Sequence, residues 1–372
     1  MPADKIRVSG DSRIEYKTAT LNGHNYSYIL SQPKSGQYKA TVFLIHGFPD
    51  LSMGWRYQIP MLVDMGFRVV APDCLGYGRT DAPDDFTPYS HKSCAADIKS
   101  LATHLGETQI ILGGHDWQAC PSQLSFPGPH TNTQSRGAAL AYRIALWHPE
   151  LVSHLFTVCV PYARPMAQNI SIEDLVRSVT PHFAYQLQFK SGEVEKVIRS
   201  KDEVRQFLLA LYGGRTEAGE FGFDANKGVL LDKIGQLKPS RLLSEEELEF
   251  YTNEFTRSGI HGPRMVSSGL LVGFLLIISL VNWYRTRDVN YEDELAILGR
   301  EIQVPTLFIQ GLRDQALPPH LGKSMAKQVP RLTLKQVNTS HWALWEKPEE
   351  VNEIIGTWLK DQSSADGRAG KL

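Results

Sequence analysis

The sequence predicts an α/β fold: a central, mostly parallel sheet flanked by helices, with a helical cap inserted late in the chain. Three observations predict it. Residues 41–45, 109–112 and 305–311 are short apolar or β-branched runs that end in glycine-bearing turns, the pattern of buried strands. The stretch Gly137-Ala138-Ala139-Leu140-Ala141-Tyr142-Arg143-Ile144-Ala145-Leu146-Trp147 has helical spacing and strong helix formers. Chemically active residues stand in the turns after the strands, in the order Asp116, Asp314, His341.

The elements follow in chain order. Thr41-Val42-Phe43-Leu44-Ile45 leads into His46-Gly47-Phe48-Pro49, a turn that leaves the Phe48 N–H facing a pocket. Gln109-Ile110-Ile111-Leu112 enters Gly113-Gly114-His115-Asp116-Trp117, a strand and sharp turn with small residues beside a reactive side chain. With the 137–147 helix this makes a nucleophile elbow, in which Asp116 stands where the nucleophile belongs and the helix N-terminus stabilises its charge. The Phe48 and Trp117 N–H groups are the expected oxyanion donors. Ser171-Ile172-Glu173-Asp174 starts one cap helix, and Ser244-Glu245-Glu246-Glu247 starts another with a capping box. Pro305-Thr306-Leu307-Phe308-Ile309-Gln310-Gly311 precedes Asp314, and Leu334-Lys335-Gln336-Val337 leads to His341. Nucleophile, acid and histidine therefore come in the order of an α/β-hydrolase.

These segments resemble the soluble epoxide hydrolases of the α/β-hydrolase fold, of the fungal type, over residues 12–360. The likeness includes Ala71-Pro72-Asp73-Cys74-Leu75-Gly76-Tyr77-Gly78-Arg79 and Trp147-His148-Pro149-Glu150. It implies two cap tyrosines above the nucleophile. Ala184-Tyr185-Gln186-Leu187-Gln188-Phe189 and Asn282-Trp283-Tyr284-Arg285 nominate Tyr185 and Tyr284. The implied activity is opening of a small epoxide to a vicinal diol, with water as second substrate. An aspartate nucleophile also suits a haloalkane or haloacid dehalogenase, but that needs N–H donors for halide rather than phenols. A non-catalytic hydrolase-like protein is a further alternative.

Composition agrees with a globular enzyme. The 372 residues are 42% hydrophobic and 21% charged, enough for a large core. A net charge of −1 gives no reason to expect nucleic acid or an anionic membrane as partner. Four cysteines (Cys74, Cys94, Cys120, Cys159) form no framework and suit a reducing compartment. No metal-ligand spacing or phosphate-cradling loop appears, so neither metal nor cofactor is expected. The start is unlike a signal peptide, and Gly370-Lys371-Leu372 only approaches a peroxisomal signal, so the expected location is cytoplasmic. The expected layout is a core over 1–165 and 300–362, a cap over 166–299 and a disordered tail over 363–372.

Two segments do not fit this plan. Residues 118–136 carry Pro121, Pro127 and Pro129 and neither continue the elbow helix nor pack as core. Removing them joins Asp116-Trp117 to Gly137. Residues 264–280 include the apolar run 269–280, which is shorter than the roughly 20 residues of a spanning helix, so no membrane is expected. Both read as translated introns. Arg264-Met265-Val266 can be encoded with a GTATG donor and Leu280-Val281 with a TAG acceptor, and splicing then gives Gly-Pro-Leu-Asn-Trp-Tyr. The first segment has less tidy borders: a GT donor at Ala119-Cys120 leaves two extra residues.

Overall fold

The computed structural model describes residues 3–115, 137–178, 183–258 and 282–369. Position 116, Trp117 and both misfit segments lie outside them, as do residues 370–372.

Eight strands form one sheet: β1 (Glu15–Leu21), β2 (His24–Ser31), β3 (Thr41–Ile45), β4 (Arg68–Pro72), β5 (Ile110–His115), β6 (Val152–Val158), β9 (Thr306–Gly311) and β10 (Leu332–Val337). The short hairpin β7 (Phe223–Asp224) and β8 (Gly228–Val229) stands apart. The sheet order is β1-β2-β4-β3-β5-β6-β9-β10. From β4 onward every pair is parallel; β1 and β2 add an antiparallel edge. That edge was not read from the sequence. Its hairpin turns on Asn22 and Gly23, both at positive φ (49° and 95°), which an Asn-Gly pair adopts readily.

Strands β3 and β4 are buried at every residue, as central parallel strands must be. Successive strands run outward from β3 in opposite directions, to β4 on one side and β5 on the other. The strand ends at such a reversal leave a crevice where an α/β sheet carries its ligand site. Helices α1 (Gln58–Asp64), α2 (His91–His104) and α3 (Gly137–Trp147) flank the sheet. Ser90 caps α2 by accepting from the Ser93 N–H. Helix α3 presents Ala138, Ala141, Ile144 and Ala145 inward, small enough for close packing on β5, β6 and α2.

Between β6 and β9 lie α4 (Ile172–Ser178), α5 (Ala184–Ser191), α6 (Glu193–Val197), α7 (Lys201–Leu211), α8 (Glu245–Ser258), a 3-10 turn at Asn282–Arg285 and α9 (Arg287–Glu294). The capping box at Ser244 and Glu247 forms as read: each backbone N–H meets the other's side chain, at 2.7 and 3.2 Å. Ser171 likewise accepts from the Asp174 N–H. A second capping box, at Ser200 and Glu203, starts α7 and escaped the sequence reading.

Three Arg–Glu pairs join this helical unit to the sheet unit: Arg56–Glu247 at 2.7 Å, Arg79–Glu254 at 3.0 Å and Arg143–Glu294 at 2.8 Å. Each arginine belongs to the sheet unit and each glutamate to the cap. Arg56 and Glu294 are fully buried, and Arg56 also stacks on Trp345 with its guanidinium carbon 4.4 Å from the ring centre. One expectation is corrected: the last helix spans Pro348–Ala369, so residues 363–369 continue a helix instead of beginning a disordered tail. Its apolar positions Val351, Ile355, Trp358 and Leu359 recur at helical spacing and are buried, which anchors the helix as far as Leu359. Among the described residues no helix is long and apolar enough to cross a membrane.

Candidate active site

Strand β10 delivers the chain through Asn338-Thr339-Ser340 to His341, and β9 delivers it to Asp314. His341 Nδ1 and Asp314 Oδ2 are 2.8 Å apart, and both residues are buried. The other Asp314 oxygen accepts the N–H groups of Ala316 (3.0 Å) and Leu317 (2.9 Å). A carboxylate held this way is an acceptor toward the imidazole, so Nδ1 carries the hydrogen and Nε2 is the basic nitrogen. Gly311 is required nearby, because a Cβ there would stand 2.8 Å from the Ser340 carbonyl oxygen. The two loops cross at that point.

Strand β5 ends at His115, next in sequence to Asp116. Gly113 explains the glycines before it: a Cβ would meet the Phe156 ring at 2.4 Å and Leu44 at 2.8 Å, side chains of the two neighbouring strands. The His115 and His341 rings lie 5.2 Å apart. His115 Nε2 is 3.2 Å from the His341 carbonyl oxygen, which also accepts from Cys159 Sγ at 3.1 Å. Burial first, then neighbouring His341, lower the His115 pKa to about 3, so this ring is neutral and donates from Nε2.

His115 and Cys159 were missed as members of this site. Nothing in one dimension links residues 115, 159 and 341. The only local sign at Cys159 is its left-handed backbone, φ 71°, which a non-glycine residue rarely adopts and which the sequence does not display.

Above the strand ends stands an aromatic group. Phe48, in the turn after β3, contacts the Tyr284 ring edge-on at 5.7 Å and the Phe189 ring at 5.3 Å. Phe189 in turn contacts Tyr284 at 5.0 Å and Tyr185 at 5.8 Å. Phe48, Tyr185 and Tyr284, nominated from three distant segments, are therefore brought together, with Phe189 as the unforeseen link. All are buried. His46 holds the floor: its Nε2 accepts from the Cys74 N–H at 2.9 Å, tying the turn after β3 to the one after β4. Asp116 and Trp117, the remaining nominated residues, lie outside the described residues.

Cys159, Asp314 and His341 have ligand-type atoms within 4.8 Å of one another, the one such cluster among the described residues. It does not suit a metal. His341 Nδ1 is engaged by Asp314, the thiol donates to a carbonyl, and burial pushes the thiol pKa well up. A metal would need the thiolate.

The model of the alpha/beta hydrolase fold matches residues 40–119. An epoxide hydrolase of Neurospora crassa is 36% identical over 360 residues, covering 93% of this chain and 94% of that protein. The rat bifunctional epoxide hydrolase 2 is 31% identical over 327 residues, covering 86% of this chain but 52% of its own length. Among solved structures, Epoxide Hydrolase A from Mycobacterium thermoresistibile superimposes with a TM-score of 0.71 at 26% identity, covering 93% of this chain and 98% of that one.

Proposed function

Because the chain belongs to the epoxide hydrolases of the α/β-hydrolase fold, we propose that it opens an epoxide to a vicinal diol through an ester on Asp116. The Asp116 carboxylate attacks a ring carbon and the ring C–O bond breaks. Tyr185 and Tyr284 hydrogen-bond the ring oxygen and supply the proton it needs to leave as an alcohol. His341, oriented by Asp314, then takes a proton from water while the water oxygen attacks the ester carbonyl. The Phe48 and Trp117 N–H groups receive the oxyanion. Collapse of that intermediate releases the diol and regenerates the carboxylate, and the proton taken up by His341 restores the phenol that gave its own to the ring oxygen.

The observation that carries this reading is the pairing of a buried His341–Asp314 couple with two buried tyrosines linked through Phe189. The phenols favour an epoxide over a halide. Single-turnover mass spectrometry of a chain lacking 118–136 and 264–280, the segments expected to leave the full chain inactive, tests the reading: an epoxide such as styrene oxide should add its mass to Asp116, and a haloalkane should not. A haloalkane-derived ester, with none from the epoxide, would instead identify a dehalogenase.

We also infer that 118–136 and 264–280 are translated introns. In support, α3 packs against β5 although the whole of 116–136 separates them in sequence. Transcripts carrying both segments at normal abundance would refute the inference.

A further inference from the structure

Thr286 stands at the start of α9, where a threonine hydroxyl ordinarily accepts a backbone N–H of the first turn. Here it makes no such cap. Its hydroxyl instead donates back to the Trp283 carbonyl at 2.9 Å, the carbonyl of the peptide unit whose nitrogen belongs to Tyr284. A helix start that forgoes its cap breaks a local rule, and such breaks point to a role elsewhere.

The hydroxyl is one link in a chain. Its oxygen accepts from Asn290 Nδ2 at 3.0 Å, and Asn290 Oδ1 accepts the His91 N–H, at the first turn of α2, at 2.7 Å. Thr286 and Asn290 are both buried. Four residues beyond Asn290, Glu294 meets Arg143 of α3 through both carboxylate oxygens, each at 2.8 Å, and His91 Nδ1 at 3.1 Å. The other end of the turn is fixed as well, since Trp283 Nε1 donates to the Leu75 carbonyl at 2.9 Å. Tyr284 thus hangs from a peptide held by bonds that lead to α2, to the elbow helix and to the turn after β4.

We propose that Thr286 and Asn290 are positioning residues for the Tyr284 hydroxyl, setting it against the ring oxygen of the epoxide. This rests on the reading of Tyr284 given above. Neither residue touches the substrate; both act through the Trp283–Tyr284 peptide. Their effect is therefore confined to ring opening, which uses the phenol, and absent from ester hydrolysis, which uses His341.

The test compares full-length Thr286→Val, which keeps the shape and removes the hydroxyl, with Thr286→Ser, which restores it. Amide hydrogen exchange over 282–294 and single-turnover rates with styrene oxide are both measured. The expected result for Thr286→Val is faster exchange confined to that segment, with ester formation slowed about 10- to 100-fold and ester hydrolysis unchanged. Thr286→Ser should return both to wild type. Unchanged exchange in Thr286→Val overturns the proposal, and so does equal slowing of both steps. If neither the unsubstituted chain nor a chain lacking 118–136 and 264–280 forms an ester, the enzyme reading falls, while the exchange comparison still decides whether the hydroxyl anchors the turn.

Discussion

Two donors from different strand ends, His115 and Cys159, converge on the carbonyl of His341, while Asp314 holds its ring from the far side. The imidazole is thus fixed at backbone and side chain, which suits a base that must meet a water in one orientation. The division of labour predicts a trap. In His341→Gln the first step needs no base, so one equivalent of epoxide should be consumed and the Asp116 ester should persist. The hydrolysis rate should fall by at least about 100-fold, read by intact-protein mass spectrometry over time; normal turnover would remove His341 from the mechanism. Asp314 was legible because it follows an apolar run at a predictable turn, and His341 because it follows Leu334-Lys335-Gln336-Val337 in the chain order nucleophile, acid, histidine. Tyr185 and Tyr284 were legible only through family motifs, since a lone tyrosine is ordinary half-buried packing. Phe189, His115 and Cys159 were not legible, because their roles exist only once distant strand ends meet.

Among elements, the elbow shows how far local pattern reaches. The strand before Asp116 and the helix from Gly137 both formed where apolar periodicity placed them, and the helix bounds agree with the structure. Periodicity reads burial, and both are buried. The β1–β2 edge was missed because its alternation is broken by the exposed Lys17 and Thr18, although the Asn22-Gly23 pair was a usable signal. The last helix outran its expected end because the apolar pattern stops at Leu359, while Ala365, Arg368 and Ala369 beyond it are good helix formers. The elbow also carries a prediction about the misfit segments. A chain lacking 118–136 and 264–280 should hydrolyse styrene oxide at least about 100-fold faster than the full chain, since a displaced oxyanion donor alone costs about that much. Steady-state rates of the two proteins decide it, and equal rates would show that the segments do no harm.

At the scale of the molecule, the contacts between cap and sheet respond to acid. Burial raises the Glu247 and Glu294 carboxyls, but Arg56, the Ser244 N–H and Lys5 together outweigh it at Glu247, and Arg143 with His91 at Glu294, holding both at about 2, below their ordinary 4.5. Each carboxylate therefore stabilises the fold fully above pH 4.5 and loses that contribution as pH falls toward 2. Asp73 acts in the opposite sense: burial lifts it to about 6, so its protonated form favours the fold and its effect fades as pH rises through 6. Circular dichroism across pH 2–5 should show stability falling in that window. Glu294→Gln should flatten part of the fall while costing about 3–5 kcal/mol at neutral pH, the usual penalty for stranding one partner of a buried pair. An unchanged acid profile in that variant would assign the effect to other carboxylates.

The same three Arg–Glu pairs also impose an order on synthesis. Arg56, Arg79 and Arg143 all leave the ribosome before Glu247, Glu254 and Glu294. The first six of the sheet's eight strands therefore emerge with guanidinium groups whose burial has no counter-charge yet. Arg56 and Arg143 cannot settle into apolar surroundings until the later helices arrive, so the nascent sheet waits for its cap. Strands β9 and β10 come later still, bringing Asp314 and His341 last. The buried His341–Asp314 couple proposed to hydrolyse the ester can therefore form only after the cap helices have been translated.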